Sequence, residues 1–190
     1  MIGCRFEIRP SSVHEETEPG LSPEEVVAEL AQRKAEDVAA GNPNSIVIGA
    51  DTIVVCNGQI LGKPADRQDA RGTLEALSGR SHQVMTALTL VWKDRNRSES
   101  AIERTAVIFR QLSEPELDRY LDSDEPYDKA GAYGIQGRAA LFTEKIDGCF
   151  YNVVGFPVTR FWLLLDQVTG GRAEDFRTGD DAPDLLAMDS

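Results

Sequence analysis

The chain has 190 residues, 41% hydrophobic and 27% charged, values typical of one globular domain and not of a disordered chain. Its formal net charge of -12 argues against a nucleic-acid polymer or an anionic membrane as the partner, since proteins that bind these present a basic surface. Three cysteines without metal-binding spacing, and no apolar run as long as a membrane span, predict a cytoplasmic protein with reduced thiols.

The N-terminal part of the chain predicts a short strand followed by a helix. Cys4–Ile8 alternates in polarity, which predicts a strand. Ser22 is a favourable N-cap, Pro23 suits the first helical position, and Glu25 completes a capping box. The helix that begins there is expected to continue to about Ala40, with its apolar residues on one face.

The next segment predicts a buried strand that ends in a hairpin. Ser45–Cys56 is almost continuously apolar and β-branched, as in a strand that is buried on both faces. Asn57-Gly58 is the strongest short hairpin signal, so Gln59–Leu61 is predicted to return along the same strand. A second helix is predicted from its N-cap at Asp66 to Leu77.

The remaining predicted elements complete a mixed α/β fold. They are two long strands, a third helix, two short strands and a last helix: His82–Trp92, Glu99–Phe109, Ser113–Leu121, Leu141–Phe142, Cys149–Val154 and Pro157–Val168. Residues 122–137 form a long glycine-rich loop, and residues 169–190 are predicted to be a flexible acidic tail. The hairpins are incompatible with a regular βα alternation, so we expect a single domain with a mixed sheet flanked by helices.

Asp51 is unusual because it interrupts the apolar strand. A carboxylate in a buried strand costs several kcal/mol unless it is paired, hydrogen-bonded or bound to a metal. One interpretation places Asp51 at the end of the strand, in a bulge caused by Gly49. The other, which the rarity of buried unpaired aspartates favours, makes Asp51 a general base or a metal ligand.

Two lysines could assist this carboxylate. Lys63 lies in Leu61-Gly-Lys-Pro64, and the hairpin is expected to bring that turn back near Asp51, where a lysine could hold a phosphate oxygen. A solvated loop lysine is the alternative. Lys34 falls on the apolar face of the first helix, where a lysine often only extends its alkyl chain towards solvent.

The loop Asp128–Gly137 is the third candidate feature. Its three glycines indicate a close approach between backbone and ligand, although a tight structural loop is the alternative. Gln136 offers an amide donor and acceptor that could read a base edge. A carboxylate, lysines and a glycine-rich loop together predict metal-assisted hydrolysis of a phosphoanhydride.

These segments resemble the Maf family of nucleoside triphosphate pyrophosphatases, in the same order along residues 4–168. The matching segments are Gly49-Ala-Asp-Thr52, Leu61-Gly-Lys-Pro64, Leu77-Ser-Gly-Arg-Ser-His-Gln-Val-Met-Thr86, Lys129-Ala-Gly-Ala-Tyr-Gly-Ile-Gln-Gly137 and Val153-Val-Gly-Phe-Pro157. The loop that contains Gln136 resembles the branch that acts on dTTP and UTP. The resemblance implies a Maf-like or inosine-triphosphatase-like fold over residues 1–168, with an elongated sheet.

The resemblance also implies roles for individual residues. Asp51 would accept a proton from water, and Glu15 would help to hold a metal, together with Asp51, and the phosphates. Phosphate contacts are implied for Lys34 and Lys63. Substrate contacts are implied for Thr52, Gln136 and Lys129, of which the first two set the base preference. The implied partners are a divalent cation, Mg²⁺ or Mn²⁺, a nucleoside triphosphate substrate and a second copy of the chain in a homodimer.

One departure from the family pattern affects the expected activity. Family members begin with a strand and a Ser-x-Ser-Pro-Arg-Arg loop that cradles the triphosphate, and this chain has no such motif. We therefore expect Met1 to be an internal methionine or the chain to be truncated. Without the arginine of that loop, activity should fall, because stabilisation of transition-state charge is usually a dominant contribution.

Three functions follow from these observations. The leading hypothesis is a pyrophosphatase that converts dTTP or UTP, or a modified pyrimidine nucleotide, to the monophosphate and pyrophosphate. A second is a nucleotide-binding regulator without turnover, because the family has been linked to inhibition of septum formation during cell division. A metal-dependent phosphomonoesterase, which would release phosphate instead of pyrophosphate, is the third.

Overall fold

A computed structural model describes residues 3–177 and 185–187 of the chain. The strands in chain order are β1 (Phe6–Ile8), β2 (Ile46–Cys56), β3 (Gln59–Leu61), β4 (Ser81–Trp92), β5 (Arg97–Phe109), β6 (Thr143–Asp147) and β7 (Leu185–Ala187). The helices are α1 (Pro23–Gly41), α2 (Arg67–Leu77), α3 (Glu114–Leu121), α4 (Phe150–Val154) and α5 (Val158–Thr169).

The strands form one mixed sheet in the order β1-β7-β2-β4-β5-β6, with β3 paired to β2 outside this path. Strand β7 runs parallel to both β1 and β2, whereas β3 and β6 run antiparallel to β2 and β5. The prediction of an α/β domain with a mixed sheet flanked by helices is confirmed. Within this domain the chain forms two compact units, and β2, β4 and β5 each contribute residues to both.

The first unit comprises residues up to Asp51, residues 87–102 and residues from Val158 onward. Its helix α1 begins with the predicted capping box, in which the Ser22 amide donates to the Glu25 carboxylate at 2.8 Å and the Glu25 amide donates to Ser22 Oγ at 3.3 Å. Helix α1 lies unusually close to β2 at Gly49. A methyl group at Gly49 would stand 2.2 Å from the carbonyl oxygen of Ala31, so only glycine permits this approach.

The second unit comprises Thr52–Thr86 and Glu103–Pro157. The predicted hairpin between β2 and β3 is confirmed, and both turn residues have positive φ, 52° at Asn57 and 78° at Gly58. Helices α2 and α3 and the glycine-rich loop enclose an apolar core. Its most completely buried large side chains include Leu74, Leu77, Phe109 and Leu121.

Two short strands were predicted wrongly in this second unit. Leu141–Phe142 belongs to a 3₁₀ turn, Arg138–Leu141, and to the residue after it, and the strand is the more polar β6. Edge strands are often polar, so β6 lacks the apolar pattern of a strand. The segment predicted as Cys149–Val154 is instead helix α4, which ends at Gly155 in a left-handed conformation. Its aromatic and β-branched composition favoured a strand, but only Asn152 of its five residues is buried.

The C-terminal segment also differs from the predicted flexible tail. Ala173–Phe176 forms a 3₁₀ helix in which Ala173 and Phe176 are buried, and Leu185–Ala187 is strand β7. The glycines and acidic residues of 169–190 predicted solvation, but Leu185 and Leu186 supply enough apolar surface to enter the sheet. The other parts of the predicted tail, residues 178–184 and 188–190, lie outside the described residues.

The burial of β7 predicts that it contributes to stability. Leu185 is fully buried, so Leu185→Ala should lower the free energy of unfolding by about 2–4 kcal/mol, which urea denaturation would measure. The matched control is Leu141→Ala, at a leucine that is 75% exposed, where a change below about 0.5 kcal/mol is expected. Equal effects of the two substitutions would contradict the placement of β7 in the core.

Candidate active site

Asp51 lies in the middle of β2, and its carboxylate shares the ammonium of one lysine with a second carboxylate. The Lys34 ammonium lies 2.7 Å from Asp51 Oδ1 and 2.8 Å from Glu15 Oε1. The side chains of Lys34 and Asp51 are 9% and 10% exposed, whereas that of Glu15 is largely exposed. The structure therefore brings together three of the predicted site residues in the first unit, and one ammonium links the two carboxylates.

The charge state of Lys34 follows from these contacts. Burial by itself would lower the pKa of Lys34, but the hydrogen bonds and negative charges of Asp51 and Glu15 outweigh it, so the pKa is raised above its ordinary value. Lys34 is therefore a cation at neutral pH. The sequence left open whether Lys34 assists Asp51 or only extends its alkyl chain towards solvent. In the structure the lysine ends in an ion pair with Asp51 and does not extend freely into solvent.

The loop that carries Glu15 is attached to helix α1 on both sides of that residue. The Arg33 guanidinium donates to the carbonyl oxygens of His14, at 2.7 Å, and Glu16, at 2.8 Å. Further along the helix, Asp37 accepts hydrogen bonds from the Ser12 amide and from nearby hydroxyls, and the Ser12 amide is the main cause of the lowered pKa of Asp37. Helix α1 thus supplies both the ammonium and the groups that hold the loop of Glu15.

Thr52, the residue after Asp51, begins a polar chain in the second unit. Its hydroxyl lies 2.9 Å from the hydroxyl of Thr86, which donates to the backbone carbonyl of Asn152 at 3.2 Å. The Asn152 amide donates in turn to the Val84 carbonyl and to Thr105 Oγ1. Thr86 and Asn152 are fully buried, so this chain fixes the Thr52 hydroxyl relative to helix α4.

Lys63 and Lys129 both act on one carboxylate, that of Asp128. Lys129 forms an ion pair with Asp128 at 2.9 Å, and this contact is the main cause of the lowered pKa of Asp128. The charge of Lys63 contributes to the same shift in pKa. The Gly131 amide donates to the Gly62 carbonyl at 3.1 Å, which joins the turn of Lys63 to the glycine-rich loop. The two lysines therefore form one local patch of positive charge.

Gln136 is exposed, in a loop that is held at both ends. The Glu125 carboxylate accepts from the backbone amides of Arg138 and Ala139, and it lies so close to Gly137 that a methyl group there would stand 2.2 Å from it. On the N-terminal side of Gln136, Gly131 and Ala132 both have positive φ, 71° and 60°. Ala132 is strained in that conformation, which persists only when the surroundings fix the chain. The Gln136 amide therefore projects from a segment whose backbone is constrained.

Glu15 and Asp51 provide the carboxylate oxygens at which a metal ion could bind. Among the residues that the structure describes, no group of three His, Cys, Asp or Glu side chains is placed to hold a metal ion. Glu15 and Asp51 are nevertheless within hydrogen-bond distance of the same ammonium. Mg²⁺ is commonly bound through one or two carboxylates together with substrate phosphates, and this donor set fits that mode.

Sequence reasoning missed several polar groups that shape the site. His82 is 2% exposed, and its Nε2 lies 2.7 Å from the hydroxyl of Tyr133 in the glycine-rich loop. Asn152, inside α4, was hidden by the wrong prediction of a strand. A signal existed for His82 and Thr86, since both fall in the segment Leu77–Thr86 that carried the family resemblance.

Comparison with known proteins places this geometry in a family. A family model described as Maf-like protein matches residues 1–168. The chain belongs to the Maf family. It is 47% identical over 166 residues to a protein of Bacillus pumilus, with 87% of each chain covered, and 49% identical over 164 residues to one of Carboxydothermus hydrogenoformans, with 86% of this chain and 88% of the relative covered. A Bacillus velezensis relative is 50% identical over 167 residues, with 88% and 87% covered.

All three Maf relatives carry the name dTTP/UTP pyrophosphatase. The resemblance that the motifs indicated is therefore confirmed at the level of the family. Within the described part of this chain, every helix is too short or too polar to cross a bilayer.

The buried ion pair of Lys34 predicts a large effect on stability. Lys34→Met removes the ammonium from beside a mostly buried carboxylate, so the free energy of unfolding should fall by about 3 kcal/mol. Lys129→Met is the matched control, because it removes a lysine from an exposed ion pair, and its effect should stay below about 1 kcal/mol. Chemical denaturation would compare the two variants, and similar losses would show that burial of the Lys34 pair is not important.

Burial of His82 predicts a dependence of stability on pH. Burial lowers the pKa of His82 from 6.5 to about 4, so the unfolded chain binds a proton more readily than the folded one between these values. The free energy of unfolding therefore has its full value above pH 6.5. As the pH falls towards 4, the protonation of His82 in the unfolded chain lowers it by roughly 3 kcal/mol. Urea unfolding of wild type and His82→Phe between pH 7 and 4.5 would measure it. If both lose stability in parallel, His82 is not the source.

Proposed function

We propose that this chain is a nucleoside triphosphate pyrophosphatase that converts dTTP and UTP to the monophosphate and pyrophosphate. The observation that carries the proposal is the grouping of Asp51, Lys34 and Glu15 in a chain of the Maf family whose relatives are named for this activity. A carboxylate beside a permanent cation is suited to deprotonating water next to a phosphoanhydride, and the cation offsets the negative charge of the phosphates.

The proposed reaction is the attack of water on the α-phosphorus. Asp51 accepts the proton of the water, a bond forms between the water oxygen and phosphorus, and the bond to the bridging oxygen breaks so that pyrophosphate leaves. Lys34 remains protonated, because its pKa is raised, and it stabilises the negative charge that develops on the phosphoryl oxygens. Lys34 does not serve as the base, since its raised pKa keeps the ammonium protonated near neutral pH.

Four further residues are proposed to recognise the nucleotide. Lys63 and Lys129 would contact phosphate oxygens, because their positive patch is neutralised only in part by Asp128. Thr52 and Gln136 would read the pyrimidine. The Thr52 hydroxyl is oriented by Thr86, and the Gln136 amide can both donate to and accept from a base edge.

A divalent cation, Mg²⁺ or Mn²⁺, belongs to this proposal. Glu15 and Asp51 would hold it together with phosphate oxygens of the substrate, in keeping with the hard oxygen ligands that these ions prefer. When bound, the cation would supply charge neutralisation on the phosphates. Glu15 is suited to the role because the Arg33 contacts fix its loop while its side chain stays exposed.

The proposal also includes a cellular compartment and an oligomeric state. All three cysteines are free, which fits a reducing compartment, and we place the enzyme in the cytoplasm. The exposed aromatic residues Phe150 and Tyr151 of helix α4 fit an apolar contact, and we expect a homodimer.

Replacement of Asp51 tests the mechanism. Asp51→Asn keeps the shape of the side chain but removes the basic carboxylate, so kcat for dTTP should fall by about a hundredfold or more. The measurement is pyrophosphate release from dTTP and UTP with Mg²⁺ or Mn²⁺. Asp94→Asn, at an exposed aspartate in the turn between β4 and β5, is the matched control and should keep full activity.

The outcomes of this assay separate the functions that the sequence left open. Full activity of Asp51→Asn would refute the role of Asp51. Release of phosphate instead of pyrophosphate by wild type would identify a phosphomonoesterase. Binding of dTTP by calorimetry without any product would identify a nucleotide-binding regulator.

A further inference from the structure

A buried pair of polar side chains in the second unit has no part in the proposed chemistry. His82, on strand β4, and Tyr133, in the glycine-rich loop, are 2% and 5% exposed. His82 Nε2 lies 2.7 Å from the Tyr133 hydroxyl, and the two rings meet edge to face. Phe109 packs edge to face against both rings, so the polar contact is enclosed by aromatic surface.

This contact is retained at a cost to stability. A neutral imidazole has one donor and one acceptor nitrogen, and Nδ1 of His82 is buried without a hydrogen-bond partner among the described residues. A buried unsatisfied nitrogen is unfavourable, and an apolar ring at position 82 would avoid the penalty. Burial also lowers the pKa of His82 to about 4, so the ring stays neutral near pH 7. Local costs of this kind are concentrated at functional sites.

Tyr133 lies in the loop between two residues with positive φ and the candidate recognition residue Gln136. It follows Gly131 and Ala132, which both have positive φ, and a methyl group at Gly131 would stand 2.9 Å from Val54. The strained backbone therefore needs a strong contact to keep it in place. Lys129 precedes Tyr133 by four residues, and its alkyl chain lies over Gly134, where a methyl group would meet Lys129 Cε at 2.9 Å. Gln136 follows three residues later.

We propose that His82 is a positioning residue for substrate recognition, which holds Tyr133 and through it fixes the loop that presents Gln136 and Lys129 to the pyrimidine nucleotide. This inference rests on the proposed function, because it concerns the affinity for dTTP and UTP. His82 does not touch the reacting atoms. Loss of its contact with Tyr133 lets the loop sample other conformations, so the ligand must select the competent one from a mixture.

Bulk packing of the two rings is the competing explanation, and one substitution separates it from positioning. Tyr133→Phe keeps the aromatic ring and removes only the hydroxyl that meets His82. The matched control is Tyr127→Phe, at a tyrosine of the same segment whose hydroxyl donates to the Leu121 carbonyl at 2.8 Å. Packing is preserved in both variants, so a difference between them reports on the His82 contact.

The kinetic experiment compares wild type, Tyr133→Phe, Tyr127→Phe, His82→Phe and the double variant His82→Phe/Tyr133→Phe. Tyr133→Phe should raise KM for dTTP and UTP by about three- to tenfold with kcat nearly unchanged, the loss expected for one net hydrogen bond. It should also reduce the preference for dTTP over dGTP. The double variant should be no worse than either single variant, because both remove the same contact. Tyr127→Phe should behave as wild type.

A second measurement needs no turnover. Amide hydrogen exchange in residues 128–137 should be faster in Tyr133→Phe than in Tyr127→Phe. If wild type cleaves dTTP but Tyr133→Phe keeps KM within twofold, the inference is wrong, whatever the exchange rates. If wild type cleaves no triphosphate, the proposed function fails, and exchange then decides the positioning role alone. If His82→Phe fails to fold, the comparison of Tyr133→Phe with Tyr127→Phe still tests whether the His82 contact positions the loop.

Discussion

The organisation of the candidate site depends on how closely helix α1 approaches strand β2. The absence of a side chain at Gly49 lets the Ala31 carbonyl come within contact of the strand backbone. Lys34 follows one turn later on the helix, and Asp51 follows two residues later on the strand. A wider separation of helix and strand would leave the Asp51 carboxylate in an apolar environment, whereas the observed one places an ammonium 2.7 Å away.

A second feature of the site is that its polar groups are held by other polar groups. Arg33 holds the loop of Glu15 through two backbone carbonyls, Thr86 orients Thr52, and Glu125 caps the backbone after Gln136. Loops and side chains restrained in this way lose little further entropy when a ligand binds. Such restraint supports the proposed selection of one class of nucleotide, because groups in fixed positions discriminate between base edges better than mobile ones.

Much of the fold could be predicted because local patterns and tertiary structure agree. The capping box at Ser22, the turn at Asn57-Gly58 and the apolar run of β2 each determine their own conformation. Prediction failed where tertiary contacts determine the secondary structure. Helix α4 resembles a strand in composition, but Asn152 fixes it through hydrogen bonds to β4 and β5. Asp51 could be singled out as a charge in an apolar strand, whereas Glu15 could not be distinguished from its acidic neighbours without the family resemblance.

The place of β7 in the sheet has a consequence for the order in which the chain can fold. Phe6 pairs with Leu185 although the two are about 180 residues apart, so this part of the sheet has a very high contact order. During synthesis, β1 and β2 are made well before β7, the strand that lies between them in the sheet. The facing edges of β1 and β2 therefore lack their partner strand until β7 is available. A nascent chain in that state is expected to be vulnerable to pairing with the wrong strand until β7 has been made.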